Sequence, residues 1–339
     1  MTESTSEAVA ASQRAPVKVR AWQRAAKKML GWQSLGLLVV LILLYIVLSF
    51  ASPIFFTASN QLAILQNAAF FGIVAFAMTL VIVSGEIDIS VGSLAALSSS
   101  LLGVFVAQQH IPMVIAVILV VLIALVIGGF TGVMRTYFGV PTFISTLALY
   151  LSLRGLAQLI TNNFPLPLNP GDFFYWGSGQ VLGIPVAAIY LAAVALIVAV
   201  IAQRTVFGRS IYAVGGNSKA ATLSGIPVKR VKIAVMMISA LSAAIAGLLQ
   251  SAQLASGNST IAVGLEFQAI AATIIGGTAL AGGKGTVIGT IMGVIFMAAI
   301  LNGMVLLNVN PYAQAVIQGA VVLVAVIINV WRTRRTASE

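Results

Sequence analysis

Apolar residues run through this chain in ten stretches bounded by proline, glycine or charge: 34–51, 62–84, 89–108, 113–133, 141–161, 184–203, 232–254, 265–281, 285–308 and 312–331. A hydrocarbon core ~30 Å thick is crossed by about 20 helical residues rising 1.5 Å each. The pattern therefore predicts an all-α, polytopic membrane protein of about ten transmembrane helices. Three parts follow: a basic N-terminal segment 1–33, a single membrane domain 34–331, and a tail 332–339. Within 16–30, Val19, Trp22, Ala26 and Met29 share one helical stripe and the basic residues lie mostly elsewhere, which suits a helix lying on a leaflet. The first run follows a cluster of Arg and Lys, as a signal peptide would. No small-residue cleavage pattern follows it, so it reads as an anchor.

Composition sharpens this. The 339 residues are 60% hydrophobic and only 7% charged, with a mean hydropathy of +1.07, whereas about a quarter of a soluble domain is charged. The net charge of +11 raises nucleic acid as a ligand, and the positions of the charges decide against it. With the N-terminus in the cytoplasm, 17 of the 18 Lys and Arg fall on the cytoplasmic side, and the remaining one, Arg154, lies within a span. That is the positive-inside asymmetry of a bacterial inner-membrane protein with both termini cytoplasmic; nucleic acid is not an expected partner. With no cysteine there is neither a disulfide framework nor a thiolate metal site.

The chain also repeats itself. Residues Ser84 to Gly92 and Ser256 to Gly264 share Ser-Gly-x-x-x-Ile-x-Val-Gly at an offset of 172, and Pro141 and Pro311 each open a span at an offset of 170. Spans two to five then match seven to ten. Five spans separate the copies, so they lie in opposite orientations, an inverted repeat of the kind transporters use, with glycine-rich breaks at equivalent points.

Chemistry-bearing residues are few. Gly282-Gly283-Lys284-Gly285-Thr286 has the flavour of a phosphate loop but lacks its spacing and a preceding strand, so the chain itself is not expected to bind or hydrolyse ATP. The single histidine, His110, reads as interfacial, and no cofactor or metal site is expected. The ionisable residues within or bordering spans are Glu86, Asp88, Arg154 and Glu266. Intramembrane charge is costly, so each is either structural or part of a pathway. Asp88 could equally cap span three, and Arg154 could hold an acidic residue, helix-end carbonyls or substrate. The outer loop carries Phe173, Phe174, Tyr175 and Trp176, either a headgroup-level aromatic belt or a docking platform for an outer partner. Between spans six and seven lies the longest interior polar segment. There Asn217 or Ser218 can cap a helix of about two turns through Leu223, and Gly225 can end it. So short a helix is stable only when held by its own bundle and a partner, and Ala221 is expected in that packed contact.

Three blocks in this order resemble the permease subunits of bacterial ABC importers for ribose, xylose, arabinose, galactose and related compounds. Ser84-Gly-Glu-Ile-Asp-Ile-Ser-Val-Gly92 is similar to that family's Gly-Gly-Ile-Asp-Leu-Ser-Val-Gly, with Glu86 in place of a glycine. Phe207-Gly-Arg through Gly215-Gly-Asn-Ser-Lys-Ala-Ala-Thr-Leu-Ser-Gly-Ile226 resembles its coupling segment, with Lys219 where Glu is usual, and Ile275 to Gly289 resembles its late glycine-rich block. The resemblance covers residues 60–331. It implies a homodimer in the inner membrane and a periplasmic sugar-binding protein docking outside. It also implies a cytoplasmic ATPase, holding ATP and Mg, that engages Gly208, Arg209, Gly215, Gly216, Asn217, Ala220, Ala221, Leu223, Ser224, Gly225 and Ile226. The alternative is an ion-coupled secondary transporter of a small polar solute, whose repeats would look similar. It would need coupling groups near the midplane, and few are present.

Overall fold

The computed structural model describes residues 32–169 and 171–337; the leaflet helix expected over 16–30 lies outside them. Thirteen helices are described. They are α1 (Trp32–Ala51), α2 (Ala58–Val83), α3 (Val91–Gly103, prolonged by a π turn Val104–Gln108), α4 (Met113–Tyr137), α5 (Thr142–Thr161), α6 (Gly171–Ser178) and α7 (Val186–Arg204). After them come α8 (Val206–Gly216), α9 (Ser218–Leu223), α10 (Val228–Leu254), α11 (Leu265–Ile275), α12 (Val287–Leu306) and α13 (Pro311–Ala337). Local sequence sets their starts. Thr57, Thr205, Asn217 and Thr286 each accept, through the side chain, the backbone N–H three residues on, satisfying a donor the helix leaves unpaired. Prolines precede α4, α5, α7 and α10.

Eight described helices are long and apolar enough to cross a membrane: α2, α3 with its π turn, α4, α5, α7, α10, α12 and α13. Two expected spans are shorter. The apolar part of α1 runs over 36–51, and α11 covers only Leu265–Ile275. The span expected over 265–281 stops at Ile275 because Gly276 and Gly277 follow, Gly277 turning left-handed at φ 91°. The chain then loops to the Thr286 cap.

The core is centred on α2, every residue of which from Ala68 to Val83 is buried. A helix apolar on all sides belongs inside a bundle. Around it the two repeat copies exchange partners. α2 of the first copy packs on α11 and α12, while α10 of the second packs on α3 and α4; within the copies, α3 packs on α5 and α11 on α13. α2 and α10 also pack on each other. Two antiparallel two-residue ladders organise the end remote from α8 and α9: β1 (Leu166–Pro167) pairs with β4 (Ser256–Gly257), and β2 (Gln180–Val181) with β3 (Ile184–Pro185).

Candidate functional site

At one end of the bundle α7 turns sharply into α8, with Gly208 buried against the Ile201 and Ala202 carbonyls. Asn217 then breaks the helix and caps α9, its Oδ1 accepting the Ala220 N–H at 3.0 Å. α9 ends on Gly225, left-handed at φ 80°, with the Ile226 N–H donating to the Ala221 carbonyl at 3.0 Å, the bond that closes a left-handed helix terminus. The two faces of α9 differ. Ala221 is 5% exposed and belongs to the chain's own core, whereas Leu223 is 90% exposed and Lys219, Ala220, Thr222 and Ser224 are exposed with it. Ala221 thus anchors α9 in this bundle, and the opposite face is the exposed one. Arg209, also exposed, lies on α8, and half-buried Ile226 packs onto the core.

α8 joins that surface to the bundle through buried side chains, Ile211 and Val214, and through close main-chain contacts. Gly215 abuts the Val83 carbonyl at the end of α2, and no β-carbon fits there. The same carbonyl accepts the Gly283 N–H at 2.8 Å, and Gly283 lies against the backbone of Gly216. Tyr212 Oη donates to the Gly285 carbonyl at 2.9 Å; burial pushes its hydroxyl above the ordinary tyrosine range, so it stays a neutral donor. All three sequence blocks thus meet at one junction: the start of the 84–92 loop, the α8–α9 segment and the glycine loop after α11. A charged or bulky side chain would separate these backbones. Only glycine permits the approach.

Beside the junction, Glu86 is 4% exposed and accepts the Arg135 Nε at 2.8 and 3.0 Å, the Lys232 Nζ, and the Thr142 Oγ1 at 2.7 Å. It ties the loop to the end of α4 and the starts of α5 and α10. In the sequence Arg135 and Lys232 read only as orientation charges, and nothing but their common end of the bundle marks them as partners of Glu86. The Lys229 ammonium, 4.5 Å from the centre of the Tyr137 ring, adds a second α10–α4 link. Asp88 accepts the Ser90 N–H at 2.9 Å, the Ser90 Oγ at 2.6 Å and the Ser239 Oγ at 2.7 Å. The N-cap position of α3 belongs to Ser90, which makes no side-chain cap bond, so Asp88 braces the turn before the cap and links it to α10.

The second repeat loop is held differently. Arg154 donates to the carbonyls of Ser259 and Ile261 at 2.9 and 2.7 Å and of Ala262 at 3.4 Å. Glu266, in the first turn of α11, is fully buried, and neither oxygen has a hydrogen-bond partner among the described residues. It lies against Gly92, where a β-carbon would collide with Oε2 and come within 2.8 Å of the Ala262 carbonyl. Its carboxylate thus faces the starts of both broken helices, α3 and α11, where backbone N–H groups give a partial positive charge.

At the remote end, Phe173, Phe174, Tyr175 and Trp176 lie on a helix, α6, rather than in an open loop. α6 lies across α10 and α7, with Gly177 against the backbone of Leu249 to Gln253. Phe173 is half-buried, Trp176 stacks on Tyr190 at 6.1 Å, and Phe174, Tyr175 and Trp176 remain 41%, 48% and 52% exposed. Among the described residues no three His, Asp or Glu cluster as a metal site would require.

Compared with known families, residues 60–326 match the one described as "Branched-chain amino acid transport system / permease component". The chain belongs to this permease family. Its relatives include the probable ABC transporter permease protein YphD of Escherichia coli (strain K12), 45% identical over 303 residues, covering 89% of this chain and 91% of that one. The ribose import permease protein RbsC of Bacillus subtilis (strain 168) is 40% identical, covering 88% and 92%. The xylose transport system permease protein XylH of Escherichia coli (strain K12) is 32% identical, covering 83% and 87%. No solved structure matches. As an ABC permease the chain is a multi-pass inner-membrane transport subunit, not an enzyme, and works in association with an ATPase and a substrate-binding protein.

Proposed function

We propose that this permease forms a homodimer that imports a monosaccharide or related polyol, with both termini and the α8–α9 segment cytoplasmic. ATP and Mg bind only to the partner ATPase, which seats on the exposed face of α9. A periplasmic sugar-binding protein docks at the opposite end, over α6. The carrying observation is the main-chain junction of Gly215, Val83 and Gly283: it connects the exposed, capped surface helix at the basic end to both repeat copies by close backbone contact. A rigid contact of this kind passes the displacement produced by ATP-driven closure, where a side-chain contact would absorb it. The names of the ribose import permeases, relatives at 39–40% identity, support a sugar.

A branched-chain amino acid is the second reading, from the wording of the matched family. Reconstitution decides. The purified chain should turn over no ATP; with its ATPase and binding protein in liposomes, ATP should drive uptake of a neutral monosaccharide and not of leucine. Uptake driven by a proton or sodium gradient without ATP would replace the importer by the secondary carrier.

A further inference from the structure

At the end of the bundle remote from α9, the start of α2, the end of α10, the start of α11, the end of α12 and the start of α13 enclose an open cavity of about 380 Å³, within the ~300–1,000 Å³ of small-molecule sites. Six carboxamides line it: Asn67, Gln250, Gln253, Gln268, Asn302 and Gln314. Among the described residues no charged side chain does. Three of the six are already engaged. Asn302 exchanges hydrogen bonds with Asn60 at 2.8 and 3.0 Å, Gln268 donates to Gln318 at 3.3 Å, and Gln314 to the Val309 carbonyl at 2.8 Å. The other three, Asn67, Gln250 and Gln253, make no side-chain hydrogen bond among the described residues. Phe70 and Phe71 supply an apolar wall.

We propose that this cavity is the entry site for a neutral polyhydroxylated substrate, held by the free carboxamides of Asn67, Gln250 and Gln253. The inference rests on the importer reading and narrows it. A carboxamide offers two donors and an acceptor, and a sugar hydroxyl is both donor and acceptor, so the two match in any orientation. An ionised amino acid would bring a carboxylate and an ammonium that no opposite charge here meets, at the cost of desolvating both. The site thus distinguishes the two substrate readings by charge. The apolar wall fits the carbon face of a sugar ring.

The chain contains no cysteine, which permits a direct test on the full chain assembled with its ATPase and binding protein. Uptake of D-ribose, L-arabinose, D-xylose and leucine identifies the transported probe. Single-cysteine variants Gln250→Cys and Gln253→Cys are then labelled with a membrane-impermeant maleimide, with Gln109→Cys, exposed in the loop after the π turn, as the control. The transported sugar should slow labelling at least fivefold at positions 250 and 253 and leave position 109 unchanged. The double variant Gln250→Leu/Gln253→Leu should lose at least tenfold in sugar uptake while retaining the wild-type melting temperature. Undiminished uptake by a folded double variant, or equal labelling with and without sugar, overturns the site and leaves the importer reading standing. Absence of ATP-driven uptake of any neutral monosaccharide by the unsubstituted chain overturns the reading itself, and transport of leucine overturns both.

Discussion

Glu86→Gln isolates the charge of the group that binds the first repeat loop. The substituted carboxamide keeps the shape and can still accept from Thr142, so the change removes chiefly the neutralisation of Arg135 and Lys232. Lys232 is 11% exposed and Arg135 is 33% exposed. Breaking a buried pair costs about 3–5 kcal/mol because the surviving charge is stranded. Arg135 keeps enough water to recover part of that, and a solvent-exposed pair contributes only ~0–1 kcal/mol. The expected loss is therefore about 2–3 kcal/mol, carried mainly by the stranded ammonium of Lys232. At roughly 2 °C per kcal/mol for a chain of this size, the melting temperature in detergent should fall by about 4–6 °C. The double variant Glu86→Gln/Lys232→Met should recover more than about 1 kcal/mol relative to the sum of the single changes, since no stranded charge remains. A Glu86→Gln protein that melts within 1 °C of the unsubstituted chain, or strictly additive single changes, would refute the structural role. The position would then be open to a pathway role.

The remaining predictions concern the two ends of the bundle. Gly225→Val forces a β-branched residue into a left-handed position at about 1–2 kcal/mol, so sugar-stimulated ATP hydrolysis should fall at least tenfold with the melting temperature within a few degrees. Leu223→Asp should abolish co-purification with the ATPase without a change in melting, whereas Ala221→Glu should lower the melting temperature itself, because that side chain faces the chain's own core. Gly215→Ala places a methyl group on the Val83 carbonyl and should lose coupling and stability together; a normal coupled ATPase from it would remove the junction from the mechanism. Ala substitution of Phe174, Tyr175 and Trp176, as anchors of an interface, should reduce stimulation by the binding protein by about tenfold, read against unchanged membrane insertion.

Periodicity and length made the helices legible, because a span must be apolar over ~20 residues whatever it packs against. They failed at α11, where Ala279, Leu280 and Ala281 continue the hydrophobic run after the backbone has left the helix: hydropathy does not register the left-handed Gly277. The cap and terminus of α9 were readable from Asn217 and Gly225, since both act within four residues. Which face of α9 points inward was not, because six residues carry too little periodicity and Ala221 and Ala220 are alike in sequence. The Glu86 triad and the Gly215–Val83–Gly283 junction join positions 49 to 200 residues apart. Nothing in the chain except charge sign and a surplus of glycines marked them. The cavity carboxamides lay in runs read simply as apolar, and their convergence exists only after folding.

The two repeat loops are anchored to the same helix, and this gives the junction a reach beyond its own end of the bundle. Near the start of α5, Thr142 and Thr146 accept the Ile87 and Ile89 N–H groups of the first loop. Twelve residues on, about 18 Å along the axis, Arg154 grips the Ser259, Ile261 and Ala262 carbonyls of the second, and Thr161 reaches Ser259 Oγ. Ala262 and Val263 in turn line the carboxamide cavity. The 84–89 loop that follows Val83 is bonded to α5, and α5 holds Ala262 at the wall of the cavity, so a continuous series of contacts joins the two ends. Glu266 is set, fully buried, where the starts of α3 and α11 face each other, its carboxylate against Gly92. The bracing is not confined to the two loops: between them Thr79 bonds Thr290 at 2.7 Å, Thr273 donates to the Ala75 carbonyl at 3.1 Å and Ser251 donates to Ser99 at 2.6 Å, so helices of both copies are tied along the bundle.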